Sequence, residues 1–341
     1  MRRLRGSGCE IFSAPGPLFF FAKRGYIGRL GISKKHSKKY YVCMKMILVG
    51  TGTSHGIPVI GCNCNVCRSA DPRDSRLRCS AFLEAPANIL VDVGPEFRIQ
   101  ALKYKINNVD AVFITHSHAD HLHGIDDLRV FSHTKALDPA HPDNKETEGD
   151  GLKIYTTAHS EHDIRHRFDY IFTPMKEGGG KPKIQIMSAE NISEENPLFI
   201  NGIEILPVML KHGHLDDMGL LFSEKGQDGK KHSIAYLTDC SFVPENSIEL
   251  VKRNAGILEH LVIDGLRKEP HSTHFSFEQA LEAAEKMNPR NVYLTHITHN
   301  MSHVQIEDYV KSILWKFPYL KKNADNGFYA GPAYDGMELE C

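Results

Sequence analysis

The motif that most constrains this chain is the run T-H-S-H-A-D-H at residues 115–121, which follows the apolar, strand-like residues 111–114. Imidazole and carboxylate groups are good ligands for zinc, manganese or iron. In an extended or tightly turned segment, His116 and His118 project to the same side and can hold one ion. Asp120 and His121 then point elsewhere and can hold a second ion. The motif therefore predicts a metal centre at the end of a strand.

The second half of the chain repeats this arrangement, because ligand-type residues follow several other apolar, strand-like runs. These residues are His212 or His214, Asp239, Asp264 and His296. Many strands with polar residues at their ends, interspersed with helical patterns such as residues 276–287, indicate an α/β sandwich and exclude a helical bundle. We expect the strand ends to meet at one edge of the fold.

A cysteine cluster lies between the first two predicted strands. Cys62, Cys64 and Cys67 have C-x-C-x-x-C spacing, and three thiolates this close form a zinc half-site that lacks a fourth ligand. The missing ligand must come from a distant part of the chain. The other five cysteines are scattered, which is not typical of a disulfide framework and favours a reducing, cytoplasmic compartment.

Charge and hydropathy exclude two classes of protein. The net charge is −1, so no overall basic field calls for nucleic acid. No apolar run reaches the roughly 18–20 residues of a membrane-spanning helix. Residues 1–45 differ from the rest because they are rich in Lys and Arg, with Glu10 as their single acid. We expect a basic, disordered N-terminal extension there, followed by one folded domain at residues 46–341.

The H-x-H-x-D-H motif resembles the signature of the metallo-β-lactamase fold hydrolases, and residues 46–330 can be aligned with that family. The resemblance implies a four-layer αβ/βα sandwich of two mixed sheets, with the metals at one edge between the sheets. It also implies two catalytic divalent metals, Zn or Mn, that share a hydroxide as the nucleophile. Asp92, at the end of a predicted strand, would support the metal-binding loop through hydrogen bonds without itself being a ligand.

The same resemblance assigns the ligands. One metal would be held by His116, His118 and His212, for which His214 is the competing candidate. The other would be held by Asp120, His121 and His296, and Asp239 would bridge both. Asp120 is also expected to be essential for catalysis.

A more specific resemblance combines the cysteine cluster with the pair His296 and His299. Both occur together in the phosphoribosyl cyclic phosphate phosphodiesterase, or PhnP-like, branch of the family. This implies a structural zinc held by Cys62, Cys64, Cys67 and His299, with His303 as the rival fourth ligand. Those relatives use a histidine as proton donor to the leaving oxygen. His274 is the preferred candidate for that role and His271 the alternative.

These features predict a dinuclear metal-dependent phosphodiesterase that hydrolyses a small cyclic or nucleotide-like diester, with a histidine as general acid. The expected partner is a small molecule, without nucleic acid or membrane, and a homodimer is compatible with the sequence. One alternative is the tRNA 3′-end processing endonuclease of the same superfamily, against which the acidic segment 134–151 argues because that enzyme needs a basic arm. The other is a non-catalytic relative in cofactor biosynthesis, which the complete set of seven ligands disfavours.

Overall fold

Two seven-stranded sheets form the framework of the protein. The computed structural model describes residues 43–84, 86–135, 151–173 and 181–341. The first sheet has the spatial order β14-β1-β2-β3-β4-β5-β6. Its strands are β1 (Lys45–Gly50), β2 (Ser80–Glu84), β3 (Ile89–Val91), β4 (Ala111–Phe113), β5 (Leu152–Thr156), β6 (Ile184–Ser188) and β14 (Met337–Glu340).

The second sheet has the order β13-β12-β11-β10-β9-β8-β7. Its strands are β7 (Leu198–Ile200), β8 (Ile203–His212), β9 (Leu215–Lys225), β10 (Lys231–Leu237), β11 (Ile257–Asp264), β12 (Asn291–Thr295) and β13 (Ala330–Pro332). Both sheets are mixed: β3 to β6 run parallel in the first, and β10 to β13 run parallel in the second.

The α-helices cover the outer faces of the two sheets. They are α1 (Phe97–Lys103), α2 (Ala119–Leu122), α3 (Arg129–Lys135), α4 (Ala158–Arg167), α5 (Asp169–Phe172), α6 (Glu245–Asn254), α7 (Phe277–Met287), α8 (His303–Ile313) and α9 (Pro318–Asp325). The helices α7 and α8 both begin with a capping box, built by Ser276 with Gln279 and by Ser302 with Gln305. Each box satisfies backbone N–H groups that the first turn of a helix leaves without a partner.

Three hydrophobic cores lie between the four layers. Successive side chains of a strand point to opposite faces of its sheet, so each strand contributes residues to two of these cores. In β4, Phe113 packs into the core between the sheets, whereas Val112 packs beneath the helices of the first sheet. In β10, Tyr236 faces the central core and Leu237 faces the helices of the second sheet. The strands are therefore buried on both faces, and the predicted four-layer sandwich of two mixed sheets is confirmed.

The parallel strands bring the candidate site together. In parallel neighbours the carboxyl ends lie at the same edge, and ligands bind outside these ends in open α/β sheets. The motif at residues 115–121 follows β4, Asp239 follows β10 and His296 follows β12. The predicted N-terminal extension lies outside the described residues up to residue 42, as does nearly all of segment 134–151. Within the described ranges, no helix is long and apolar enough to cross a membrane.

Candidate metal centre

The first cluster of candidate ligands contains three imidazoles. After β4 the chain has no regular secondary structure until α2, and His118, at the N-cap position of α2, has extended backbone angles of φ −64° and ψ 153°. His116 and His118 therefore point the same way, and their ring centroids lie 4.5 Å apart. His212, the last residue of β8, lies 5.1 Å from His118 between ring centroids. The structure brings these three together and leaves His214 exposed in the turn after β8.

The second cluster combines two carboxylates and two imidazoles, all buried. The Asp239 Oδ2 atom lies 3.2 Å from Nε2 of both His121 and His296. The Asp120 Oδ2 atom lies 3.3 Å from the His121 Nε2 atom. Asp239 also lies 3.9 Å from the His116 Nε2 atom of the first cluster. Its position between both clusters is the one expected of a bridging ligand.

Several buried imidazole nitrogen atoms lack a hydrogen-bond partner in the described part of the chain, which indicates whether these residues are suited to bind metals. The Nε2 atoms of His116, His121 and His296 are buried without any hydrogen-bond partner among the described residues. An unsatisfied buried polar atom costs roughly 1–3 kcal/mol, so several converging on one point need an explanation. Cations at the two clusters would satisfy all three, so the donor set fits a pair of divalent metals. The roles of the individual ligands stay predictions.

Neighbouring groups fix the orientation of the imidazoles, as is usual for metal-ligating histidines. The His121 Nδ1 atom lies 2.7 Å from the Asp92 carboxylate, which also accepts the backbone N–H of Thr115 at 2.8 Å. The His212 Nδ1 atom lies 2.7 Å from the Thr273 carbonyl oxygen, to which it donates. Each of these contacts leaves Nε2 pointing into the centre. The geometry of Asp92 agrees with the predicted supporting role.

Burial and neighbouring charges shift the pKa values of the candidate ligands. Burial raises the pKa of Asp120, but the adjacent His121 and His296 imidazoles outweigh it and hold that pKa below its usual range. Burial lowers the pKa of His212 to about 4. Burial and the neighbouring His121 also lower the pKa of His116. Burial opposes protonation of His121 as well, but the carboxylates of Asp239, Asp92 and Asp120 outweigh it and raise the pKa of His121 well above its usual range. Divalent metals require ionised carboxylates and neutral imidazoles, so metal binding would release a proton from His121.

His274 lies beside both clusters. Its ring stacks on His296 with centroids 4.5 Å apart, and its Nδ1 atom lies 2.6 Å from Asp264 Oδ2. Burial lowers the pKa of His274, and the opposing effects of Asp239 and Asp120 do not reverse it. The carboxylate in contact with His274 is Asp264. His271 is exposed, with its ring 5.5 Å from that of His274.

Two buried carboxylates at the centre carry no role in the sequence prediction. Asp264 ends β11 after an apolar run, and the sequence identified it as a residue at a strand end without assigning it a role. Asp217 has no such signal, because it lies inside β9; its Oδ1 atom is 3.6 Å from the His116 Nδ1 atom. Burial raises the pKa of both carboxyl groups.

A third, separate cluster brings the three cysteines together with His299, which lies just after β12 of the second sheet. The His299 Nδ1 atom lies 3.4, 3.5 and 3.3 Å from the Sγ atoms of Cys62, Cys64 and Cys67. A tetrahedral zinc site gives S–N separations of roughly 3.5 Å, so the four residues fit one ion. The Cys67 backbone N–H and His299 lower the pKa of Cys64 to about 6, against the effect of desolvation. The rival His303 is buried and contacts Arg76 instead.

Comparisons with known proteins agree with this geometry. The model of the β-lactamase superfamily domain matches residues 87–297, which is more than half of the chain. A crystal structure of a diphosphatase from the PhnP family is similar, with 31% identity and a TM-score of 0.65, over 87% of this chain and 98% of that one. Human tRNase Z, short form, shares the fold at 16% identity, with a TM-score of 0.51, over 87% of this chain and 98% of that one.

A curated protein is also similar to this chain. It is an octanoyltransferase from Porphyromonas gingivalis (strain ATCC BAA-308 / W83), 32% identical over 261 residues, or 75% of this chain. The chain spans about half the length of that relative, 46%. With the superfamily match and the PhnP-family structure, the predicted family is confirmed. The chain belongs to the metallo-β-lactamase superfamily of metal-dependent hydrolases, in its PhnP-like branch.

Proposed function

We propose that the protein is a dinuclear metal-dependent phosphodiesterase acting on a small cyclic or nucleotide-like diester. The observation that carries the proposal is the convergence of seven candidate ligands, with their ligating atoms within 4.8 Å of one another in each cluster. His116, His118 and His212 would hold one divalent metal; Asp120, His121 and His296 would hold the other, with Asp239 between them. Such a pair supplies an activated water and neutralises charge on the phosphoryl oxygens.

His274 is the proposed general acid. The His274 Nδ1 atom and the Asp264 Oδ2 atom lie 2.6 Å apart. This contact fixes the ring, so Nε2 is the atom that would carry the transferred proton. The ring also lies against His212, with centroids 4.6 Å apart, so it borders both metal clusters. An alkoxide is a poor leaving group, and a positioned acid accelerates its departure by roughly 10²–10⁴-fold.

A second candidate reaction is hydrolysis of a phosphoanhydride. It is favoured by the similarity to a PhnP-family diphosphatase. The same residues would serve both reactions, because each reaction is a displacement by water at a tetrahedral phosphorus. A phosphate leaving group needs less help from an acid than an alkoxide does. Hydrolysis of a nucleoside diphosphate derivative, compared with that of a cyclic nucleotide, distinguishes the candidates.

The variant His274→Ala tests the proposed function. We expect it to lose roughly 10²–10⁴-fold in turnover of a diester with an alkoxide leaving group. With p-nitrophenolate, which leaves without a proton, the loss should be far smaller. His271→Ala is the matched control, because this exposed imidazole lies next to His274 but should leave both rates nearly unchanged. Equal losses on both substrates in His274→Ala would refute the role of an acid and indicate a structural residue.

Cleavage of a tRNA precursor tests the main alternative. The proposal predicts that the purified protein leaves a 3′-extended tRNA intact under conditions in which it hydrolyses bis(p-nitrophenyl) phosphate. Efficient and specific cleavage of the precursor would instead favour the tRNA endonuclease. Failure to hydrolyse any phosphate ester while metals are bound would favour the non-catalytic alternative.

A further inference from the structure

The residue between His116 and His118 is held by α4, the helix that follows the neighbouring strand β5. Ser117 is buried, and its hydroxyl donates a hydrogen bond of 2.5 Å to the Asp163 Oδ2 atom of this helix. Arg167, one turn later in α4, donates from Nη1 to the Ser117 carbonyl oxygen. The hydroxyl and the carbonyl oxygen of Ser117 are therefore both bound by one helix.

Asp163 and Arg167 also bind each other, which closes a network of three residues. The Arg167 Nη2 atom donates to Asp163 Oδ2 at 2.9 Å, so this oxygen accepts from both the serine and the arginine. The hydrogen bond from Ser117 and the charge of Arg167 outweigh burial and hold the pKa of Asp163 below its usual range. Hydrogen bonds to an ionised carboxylate are stronger than those between neutral groups.

The helix that carries this network is itself fixed beside the motif. Strand β5, which leads into α4, pairs with β4, and the Thr156 hydroxyl at its end donates to the Ile114 carbonyl oxygen at 2.8 Å. The Thr157 hydroxyl caps α4 by accepting the backbone N–H of Ser160. Ile164 anchors the helix in the core beneath the helices of the first sheet. These contacts fix α4 against the end of β4, where the motif begins.

His118 depends on its backbone more than the other imidazoles of the first cluster do. The Nδ1 atoms of His116 and His212 lie 3.1 Å from the Thr115 hydroxyl and 2.7 Å from the Thr273 carbonyl oxygen. The exposed ring of His118 has no hydrogen-bond partner within the described ranges. A metal-ligating histidine is usually oriented by a hydrogen bond to its other ring nitrogen. The orientation of His118 must therefore come from the backbone on either side of it.

We infer that Asp163 and Arg167 are positioning residues of the metal centre, which act through Ser117 to fix the backbone that presents His118 to the ion of the first cluster. This inference rests on the metal pair of the proposed function and adds to it two residues from outside the ligand set. Their effect is exerted through Ser117 and not by contact with a metal ion.

The affinity for zinc tests the inference, because it can be measured whether or not the protein hydrolyses a given ester. A chromophoric chelator withdraws zinc stepwise from the purified, zinc-loaded protein. We expect Asp163→Ala to weaken one of the three proposed zinc sites roughly 10–100-fold, as removal of the partners of metal ligands does. Asp163→Asn should recover most of this affinity, because it keeps an oxygen that can accept both hydrogen bonds.

Glu161→Ala is the matched control, because it removes another acid of α4 that pairs with an arginine four residues later. Glu161 binds Arg165 at 2.8 Å, as Asp163 binds Arg167, but among the described residues it has no hydrogen bond to the motif. An isolated pair of this kind on a helix surface contributes little. We expect the zinc affinities of Glu161→Ala to equal those of the wild type.

A double variant distinguishes positioning from a general loss of stability. His118→Ala should weaken the same site, and the addition of Asp163→Ala should cause little further loss, because both changes remove one ligand contact. Ser117→Ala, which removes only the hydroxyl, repeats the test with a smaller change and should weaken that site as well.

Three results would overturn the inference. They are unchanged zinc affinities in both Asp163→Ala and Ser117→Ala, an equal weakening of all three sites, and full additivity of Asp163→Ala with His118→Ala. If the zinc affinities change as expected but the wild type hydrolyses no phosphodiester, the proposed function is wrong and the positioning role stands.

Discussion

Three residues of the centre have left-handed backbone conformations that few non-glycine residues adopt. Asp92, Asp239 and His296 have φ values of 62°, 51° and 58°. Such conformations cost of order 1–3 kcal/mol each and persist only where the surrounding structure enforces them. Each residue lies just after a strand, so a sharp turn there directs its side chain into the centre. The sequence predicted a role for these residues in the centre, but not their left-handed backbone conformation. The identity of a residue such as histidine does not indicate that its φ is positive.

Glycine at position 94 is required by a close approach of two loops. A Cβ atom there would lie 2.2 Å from the carbonyl oxygen of Asp120, which is far inside contact distance. We predict that Gly94→Ala pushes the Asp120 loop out of place and reduces diester hydrolysis by roughly 10²-fold, as misplacements near 1 Å do. Kinetics and metal analysis would measure this, with circular dichroism reporting the fold. Full activity in this variant would show that the loop tolerates the shift.

At the scale of the element, strand ends were predictable and strand interiors were not. Apolar runs followed by His or Asp identified the ends of β4, β10 and β12. A buried strand is recognised by its apolar residues, and a candidate ligand by its polar residue type. Asp217 is not preceded by an apolar run, and its burial beside His116 depends on how β9 packs against the motif. Likewise, the contact between Ser117 and Asp163 depends on how α4 packs beside β4, which no local pattern encodes.

The pairing of β10 with β11 contains a histidine that should make stability depend on pH. Burial lowers the pKa of His232, but hydrogen bonds to Asp228 and Glu259 outweigh it and raise the pKa. Arg290 also contacts Glu259, at 2.9 Å, and shares that carboxylate. A raised pKa in the folded state means that the stabilisation is complete below the unfolded value of about 6.5 and disappears as pH rises through the folded value.

We therefore predict that His232→Gln destabilises the protein more at pH 6 than at pH 9. The difference in the free energy of unfolding should be about 1 kcal/mol or less, because the pair is near the surface. Urea denaturation at both pH values measures it. His166→Gln, an exposed histidine of α4, is the control. An equal effect of His232→Gln at both pH values would contradict the predicted ion pairs.

The cysteine loop should bind its zinc independently of the two catalytic metals. We predict that Cys64→Ser loses one zinc per chain and lowers Tm by roughly 5 °C, because a structural zinc contributes folding free energy directly. The two catalytic metals should remain. Cys43→Ser, which removes an exposed thiol elsewhere, should change neither quantity. If zinc content and Tm are the same in Cys64→Ser and the wild type, the cluster is three free thiols.

For the whole molecule, the family motif allowed the sequence to predict the four-layer architecture, which the alternation of residues between cores then accounts for. The choice of His212 over His214 and of His299 over His303 agrees with their positions, although the sequence alone left both pairs open. The contact between His274 and Asp264 could not be predicted, because it joins the end of β11 to a loop ten residues later. The predicted extension at residues 1–45 overlaps the described part of the chain at its end, where Met44 is buried and Lys45 begins β1. The extension up to residue 42 and the division into domains stay predictions.

The most direct test of this account is the metal content of the purified protein, measured by elemental analysis alongside diester hydrolysis. We expect three divalent ions per chain, two at the histidine and aspartate clusters and one at the cysteines. Asp120→Ala should lose activity and catalytic metal while keeping its fold and the cysteine-bound zinc. Full hydrolytic activity in protein that carries one metal ion per chain or none would contradict a dinuclear catalytic site.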